Sequence, residues 1–80
     1  MGTQDEKEKF ASIVSTALHN AAVEYEFTGD YSSSLLHYQK AVKISKIHLG
    51  SGSILTQTFE INFENAKDKI KQNNTLFKQQ

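Results

Sequence analysis

Apolar residues recur at helical spacing, every three or four positions, along three segments of the chain. The first predicted helix runs from about residue 5 to 28, and Thr3 followed by Glu6 is typical of a capping box at its start. Its predicted core-facing stripe consists of Phe10, Ile13, Val14, Ala17, Leu18, Ala21, Ala22 and Tyr25.

A second helix is predicted over residues 31–49, after a very short connection. Gly29 favours the left-handed conformation that ends a helix, and Asp30 is a good N-cap for the next one. Two helices joined so tightly should return antiparallel and pack on each other. The inward residues of the second helix are predicted to be Tyr31, Leu35, Tyr38, Ala41, Val42, Ser45 and Leu49.

The third predicted helix covers about residues 53–75, after the flexible Ser51 to Ser53 linker. Its stripe is Leu55, Phe59, Asn62, Phe63, Ala66 and Ile70. We therefore predict an all-α, antiparallel three-helix bundle over residues 5–75. Residues 1–4 are expected to be disordered or a cloning remnant, and residues 76–80 a fraying tail.

Composition narrows the class of protein. Eighty residues make one small domain, and the lack of cysteine removes disulfides and thiolate metal sites. No apolar run is long enough to span a bilayer, and the charged N-terminus does not resemble a secretory signal. We expect a cytoplasmic domain without membrane insertion, without nucleic-acid binding, and monomeric.

Charge is segregated along the chain although the net charge is zero. Residues 1–36 contain two lysines and six acidic residues, whereas residues 37–80 contain seven lysines and three acidic residues. Such blocks are more often solvated helix faces than binding patches, but a basic half can meet an acidic partner.

The sequence suggests no catalytic, cofactor-binding or metal-binding residues. His19, His37 and His48 lack a second ligand at the spacing that would share a helix face, so they are interpreted as packing or surface residues. The GSGS segment lacks the strand and the GK[ST] sequence of a phosphate-binding loop. Asn62 is the one polar residue on the third stripe; a neighbouring side chain should satisfy it, with a role in reading a partner as the alternative.

Residues 24–39 resemble the first hairpin of the microtubule-interacting and transport (MIT) domain found at the N-terminus of katanin catalytic subunits, which are microtubule-severing AAA ATPases. The shared residues there are Glu24, Tyr25, Gly29, Asp30, Tyr31, Ser33, Tyr38 and Gln39. The third segment is similar to the family's ending at Glu60, Ile61, Asn62, Glu64, Ile70, Phe77 and Lys78.

This resemblance implies a non-catalytic, cytoskeleton-associated interaction domain, because the nucleotide-binding motifs of such ATPases lie in a downstream domain. The implied partners are the katanin regulatory subunit and tubulin or microtubules. Resemblance to other MIT domains implies tail helices of ESCRT-III proteins instead.

A tetratricopeptide (TPR) unit is the alternative family. Its interlocking residues would be Leu18, Ala21, Ala22, Tyr25, Gly29, Tyr31, Tyr38 and Ala41, and Leu49-Gly50 resembles kinesin-light-chain repeats. Ser34 stands where alanine is usual, no proline ends the second helix, and one repeat normally needs neighbours to bury its face. The TPR interpretation predicts an adaptor that binds a peptide or helix.

The second helix also offers a candidate partner-binding line. Leu36, Lys40, Lys43 and Ile47 recur at intervals of four, three and four, which combines apolar anchors with positive charge. Lys46 is a further candidate contributor to the attraction of acidic tubulin. The alternative, that these are ordinary solvated positions, has equal weight.

Overall fold

The computed structural model describes the backbone of residues 3–79 and the side chains of residues 3–72. It contains three helices, α1 (Gln4–Phe27), α2 (Tyr31–Leu49) and α3 (Ile54–Gln79). The predicted all-α, three-helix architecture is confirmed. The predicted bounds of α1 and α2 hold to within one residue, whereas α3 continues four residues past its predicted end at residue 75.

Local signals in the sequence set the helix ends. The Thr3 hydroxyl accepts a hydrogen bond from the backbone N–H of Glu6 at 3.2 Å. Gly29 has φ +83°, which reverses the chain, and the Asp30 carboxylate accepts from the Ser33 N–H at 3.2 Å to start α2. Each cap satisfies an amide that has no partner inside its own helix.

Small buried side chains join α1 to α2. Ala11, Ser15 and Ala22 are the buried residues of α1, at spacings of four and seven. Ser34, Ala41 and Ser45 repeat those spacings in reverse on α2. The Ser34 hydroxyl donates to the Ala22 carbonyl oxygen at 2.8 Å, which fixes the register of the two helices. Side chains this small let antiparallel helices approach closely.

Both α1 and α3 pack along α2, while the backbones of α1 and α3 approach each other at few points. A core cluster draws one residue from each helix, Ala22, Tyr38 and Ala66. Phe59 and Ile70 of α3 are also buried. The predicted stripe of α3 therefore faces the rest of the protein, with Leu55, Asn62 and Phe63 half-buried at its edges.

The predicted stripe of α1 is wrong in part. Phe10 is 70% exposed and Ile13 is 61% exposed, and Ala17 is exposed as well. The buried face instead centres on Ser15 and Ala22, so the helix is turned by about a quarter of a revolution from the predicted orientation. Burial of Ser15 is tolerated because its hydroxyl donates to the Ala11 carbonyl oxygen at 2.7 Å.

Two further core assignments need correction. Tyr31 was predicted to face inward, but it is 37% exposed at the first turn of α2. Thr56, which was not on the predicted stripe, is fully buried on α3. A count of apolar residues alone misses Thr56 because threonine is polar.

Candidate interaction surfaces

The outer face of α2, defined by Leu36, Lys40, Lys43 and Ile47, is exposed along its whole length. Leu36 is 47% exposed and Ile47 is 65% exposed, and both lysines between them are exposed. Helical spacing puts all four residues on the side of α2 opposite its buried residues. The structure thus brings together the four residues that the sequence grouped.

Lys46 lies apart from the outer α2 face. Its Nζ is 3.8 Å from Oε1 of Glu60 on α3, and 58% of its side chain is exposed. A separation of 3.8 Å is too long for a hydrogen bond, and an exposed ion pair of this kind stabilises a fold weakly. Lys46 therefore belongs to the edge between α2 and α3.

The charged residues of α2 are all positive. The helix carries Lys40, Lys43 and Lys46 but no aspartate or glutamate anywhere from residue 31 to 49. No acidic side chain within the helix can neutralise Lys40 and Lys43, so the outer α2 face presents positive charge between two exposed apolar groups. This combination suits an acidic partner that also has apolar side chains to cover.

A second group of side chains links α1 to α3 around His19. The Asn62 side-chain amide donates to His19 Nε2 across 2.9 Å, which makes Nε2 the unprotonated ring nitrogen. The imidazole stacks on Phe59 at a centroid distance of 4.9 Å and meets the edge of Tyr38 at 5.4 Å. Asn62 is thus satisfied by a neighbouring side chain, as the sequence predicted.

Glu26, near the C-terminal end of α1, makes further contacts with α2 and α3. The Tyr38 hydroxyl donates to Glu26 Oε1 at 2.8 Å, and Lys69 Nζ donates to Glu26 Oε2 at 2.9 Å. The pKa of Glu26 is lowered, mainly because its carboxylate accepts the hydrogen bond from Lys69. Burial, with a smaller contribution from Glu26, raises the pKa of Tyr38 to about 12, so the phenol stays a donor.

The His19 contact is expected to make the stability of the fold depend on pH. Burial lowers the pKa of His19, so the folded protein takes up this proton less readily than the unfolded chain. The contribution to stability is full above the ordinary histidine pKa of about 6.5 and decreases as the pH falls below it. Urea titrations between about pH 7.5 and 5 should show this loss.

The matched variants for this test are His19→Gln and His48→Gln. The first removes the half-buried imidazole and should reduce the decrease in urea midpoint, whereas the second, at an exposed position, should keep it. All other titratable side chains are common to the two variants. An unchanged pH dependence in His19→Gln would contradict the assignment.

His37, another histidine that was considered as a metal ligand, makes contacts within the fold. His37 Nδ1 lies 2.7 Å from the Ser33 carbonyl oxygen, and its ring packs against Tyr25. Among residues 3–72, no group of three histidine, cysteine or acidic side chains is arranged to hold a metal ion. No helix within the described residues is both long and apolar enough to cross a membrane.

The sequence did not predict an apolar groove between the first half of α1 and the last half of α2. Phe10, Ala11 and Val14 line it from α1, and Ile44 and His48 line it from α2. The groove follows from the rotation of α1, which leaves Phe10 at its exposed rim, toward the outward side of the helix. The spacing of Phe10 and Val14 was visible in the sequence, but their exposure was not.

Comparisons with known proteins leave the family of this chain open. No protein-family model matches it, and no curated protein and no solved structure matched it either. The identification therefore stops at a three-helix, all-α domain.

Proposed function

We propose that this chain is a non-catalytic protein-interaction domain that binds an acidic partner through the outer α2 face. One observation carries the proposal: α2 has no acidic residue, and it exposes Leu36 and Ile47 beside Lys40 and Lys43. The apolar pair can be covered by a partner without any unfolding, and the lysines attract negative charge before contact.

The more specific form of the proposal is an MIT domain of a katanin-like ATPase, in the cytoplasm and associated with the cytoskeleton. Its partners would be the katanin regulatory subunit and the acidic surface of tubulin, or an ESCRT-III tail helix. Support comes from the hairpin that carries the resemblance, where Gly29 and Asp30 make the turn and Tyr38 is a core residue. The ATPase activity would belong to another part of the parent protein.

A TPR-like adaptor is the second candidate. One of the three departures from that pattern was Ser34 in place of alanine, but this hydroxyl is buried and donates to the Ala22 carbonyl oxygen. Serine therefore fits the tight helix contact, which keeps the TPR interpretation open. A downstream AAA cassette in the parent protein would favour the MIT domain, and further 34-residue helical repeats would favour TPR.

Charge reversal on the outer α2 face is expected to weaken microtubule binding at least tenfold. The variant Lys40→Glu/Lys43→Glu leaves Lys46 in place because of its contact with Glu60. The control Lys7→Glu/Lys67→Glu makes the same change in net charge at exposed positions on the other two helices. Cosedimentation with microtubules measures both, and wild-type binding should also fall as salt screens the charges.

A matched apolar test addresses the same face. Leu36→Ser/Ile47→Ser should weaken binding to microtubules or to the katanin regulatory subunit, whereas Ile54→Ser/Ile61→Ser, at exposed positions on α3, should not. Circular dichroism checks that all variants remain helical. If the charge and apolar variants both bind each partner like the wild type, the outer α2 face is not the binding site.

A further inference from the structure

The outward side of α1 carries an apolar seam that stays exposed within residues 3–72, whose side chains the structure describes. Three of its large apolar side chains are strongly exposed: Phe10 at 70%, Ile13 at 61% and Phe27 at 83%. The residues of this outer α1 seam alternate at spacings of three and four and are Phe10, Ile13, Ala17, Asn20, Glu24 and Phe27. This spacing is that of the contact positions in a coiled coil.

Most of the same stretch is free of charged residues. Residues 10–23 contain no lysine, arginine, aspartate or glutamate, although the helix has charged residues on both sides of the run. A helix face that stays in water normally carries charged side chains. About four turns of α1 therefore offer an exposed, uncharged surface with phenylalanine at one end and a second phenylalanine one turn beyond the other.

We propose that a second copy of this chain binds this seam, with the two α1 helices antiparallel. Phenylalanine stands at both ends of the seam and the smaller Ala17 and Asn20 in its middle, and between them Ile13 of each copy lies opposite Glu24 of the other. Antiparallel pairing about that middle brings Phe10 of each copy to Phe27 of the other. The small central residues allow the two helices to approach closely.

Charge complementarity selects the antiparallel arrangement. Lys9 and Glu24 flank the uncharged run at opposite ends, and both side chains are exposed. Antiparallel pairing brings Lys9 of each copy within about one helical turn of Glu24 of the other, so two opposite-charge contacts form. A parallel pair would instead put lysine beside lysine and glutamate beside glutamate.

This inference goes beyond the proposed function and replaces the monomer expected from the sequence. That expectation accompanied the assignment of Phe10 and Ile13 to the core, which the structure corrects. Two copies joined along one helix each would make a small interface, so the association should be weak and depend on concentration. The outer α2 faces stay free, which gives one dimer two partner-binding faces.

Sedimentation equilibrium of the 80-residue chain at increasing protein concentration tests the proposal. The wild type should form a dimer at high concentration, and Phe10→Ser/Phe27→Ser should weaken it at least tenfold. The control Ile54→Ser/Ile61→Ser removes two exposed apolar residues from α3 and should associate like the wild type. A wild type that remains monomeric at all concentrations, or a dimer that persists in Phe10→Ser/Phe27→Ser, overturns the proposal.

Charge exchange tests the antiparallel arrangement. Lys9→Glu alone and Glu24→Lys alone should each weaken the dimer, because each places like charges near one another. The double variant Lys9→Glu/Glu24→Lys restores opposite charges and should recover the association of the wild type. If the loss of association in the double variant equals the sum of the losses in the two single variants, the two helices do not pair in this way.

Discussion

Replacing Phe59 by alanine is expected to destabilise the fold by about 3–5 kcal/mol, the range seen when a buried phenylalanine is truncated. Phe59 is only 3% exposed, and its ring stacks on His19 at 4.9 Å, so α3 loses a contact with α1 as well as buried apolar area. Small domains have about 5–15 kcal/mol of stability in total. Urea unfolding followed by circular dichroism should show a large drop in midpoint.

Phe10→Ala is the matched control, because it makes the same chemical change on a side chain that is 70% exposed. Its effect should stay within about 0.5 kcal/mol, as is usual for surface substitutions. The hydrophobic pattern alone would assign both phenylalanines to the core and predict similar losses. Equal destabilisation by the two variants would therefore show that α1 faces its neighbours as the sequence pattern suggested.

The second large effect is expected from Ala41→Leu, which should cost about 1–3 kcal/mol or more by overpacking. Ala41 is fully buried on α2, and Ser34 and Ser45, which are buried on the same helix, are small as well. A leucine there must push the two helices apart and strain the hydrogen bond between Ser34 and Ala22. A lower thermal midpoint is the expected result.

Ala17→Leu is the control for this variant. Alanine and leucine have similar helix propensities, and Ala17 is exposed on α1, so the substitution should change stability little. A thermal midpoint as high for Ala41→Leu as for Ala17→Leu would mean that the contact between α1 and α2 is not tight. That result would reject the register deduced from Ser34.

The ends of α1 and α2 were the most predictable part of the fold, because they depend on residues close together in the chain. Thr3 and Asp30 cap the helices that follow them, and Gly29 adopts the left-handed conformation that the turn requires. The stripe of α3 was also predictable, since Phe59 and Ile70 are large and apolar and do lie in the core.

The orientation of α1 was not predictable from apolar spacing. The true contact with α2 uses Ala11, Ser15 and Ala22, where small size matters more than hydrophobicity. Ser15 satisfies its hydroxyl within its own helix, so it can be buried at little cost. Large apolar residues such as Phe10 then remain exposed, and the spacing of apolar residues does not indicate which surface covers them.

The candidate binding site also has a part that the sequence predicts and a part that it does not. The outer α2 face was visible in the sequence because Leu36, Lys40, Lys43 and Ile47 share one helix. Contacts between helices were not visible: the partner of Lys46 is Glu60, and the partner of Asn62 is His19, 43 positions away along the chain. Such pairs depend on how the helices pack, which a single sequence does not specify.

The most direct test of the proposed function is an NMR titration of the isotope-labelled domain with an acidic tubulin tail peptide. The outer α2 face should respond first, with the largest amide shifts between residues 36 and 47 and small shifts along α1 and the outward side of α3. These shifts should shrink as salt is added. Largest shifts on α1 or α3, or none at all at saturating peptide, would contradict the account.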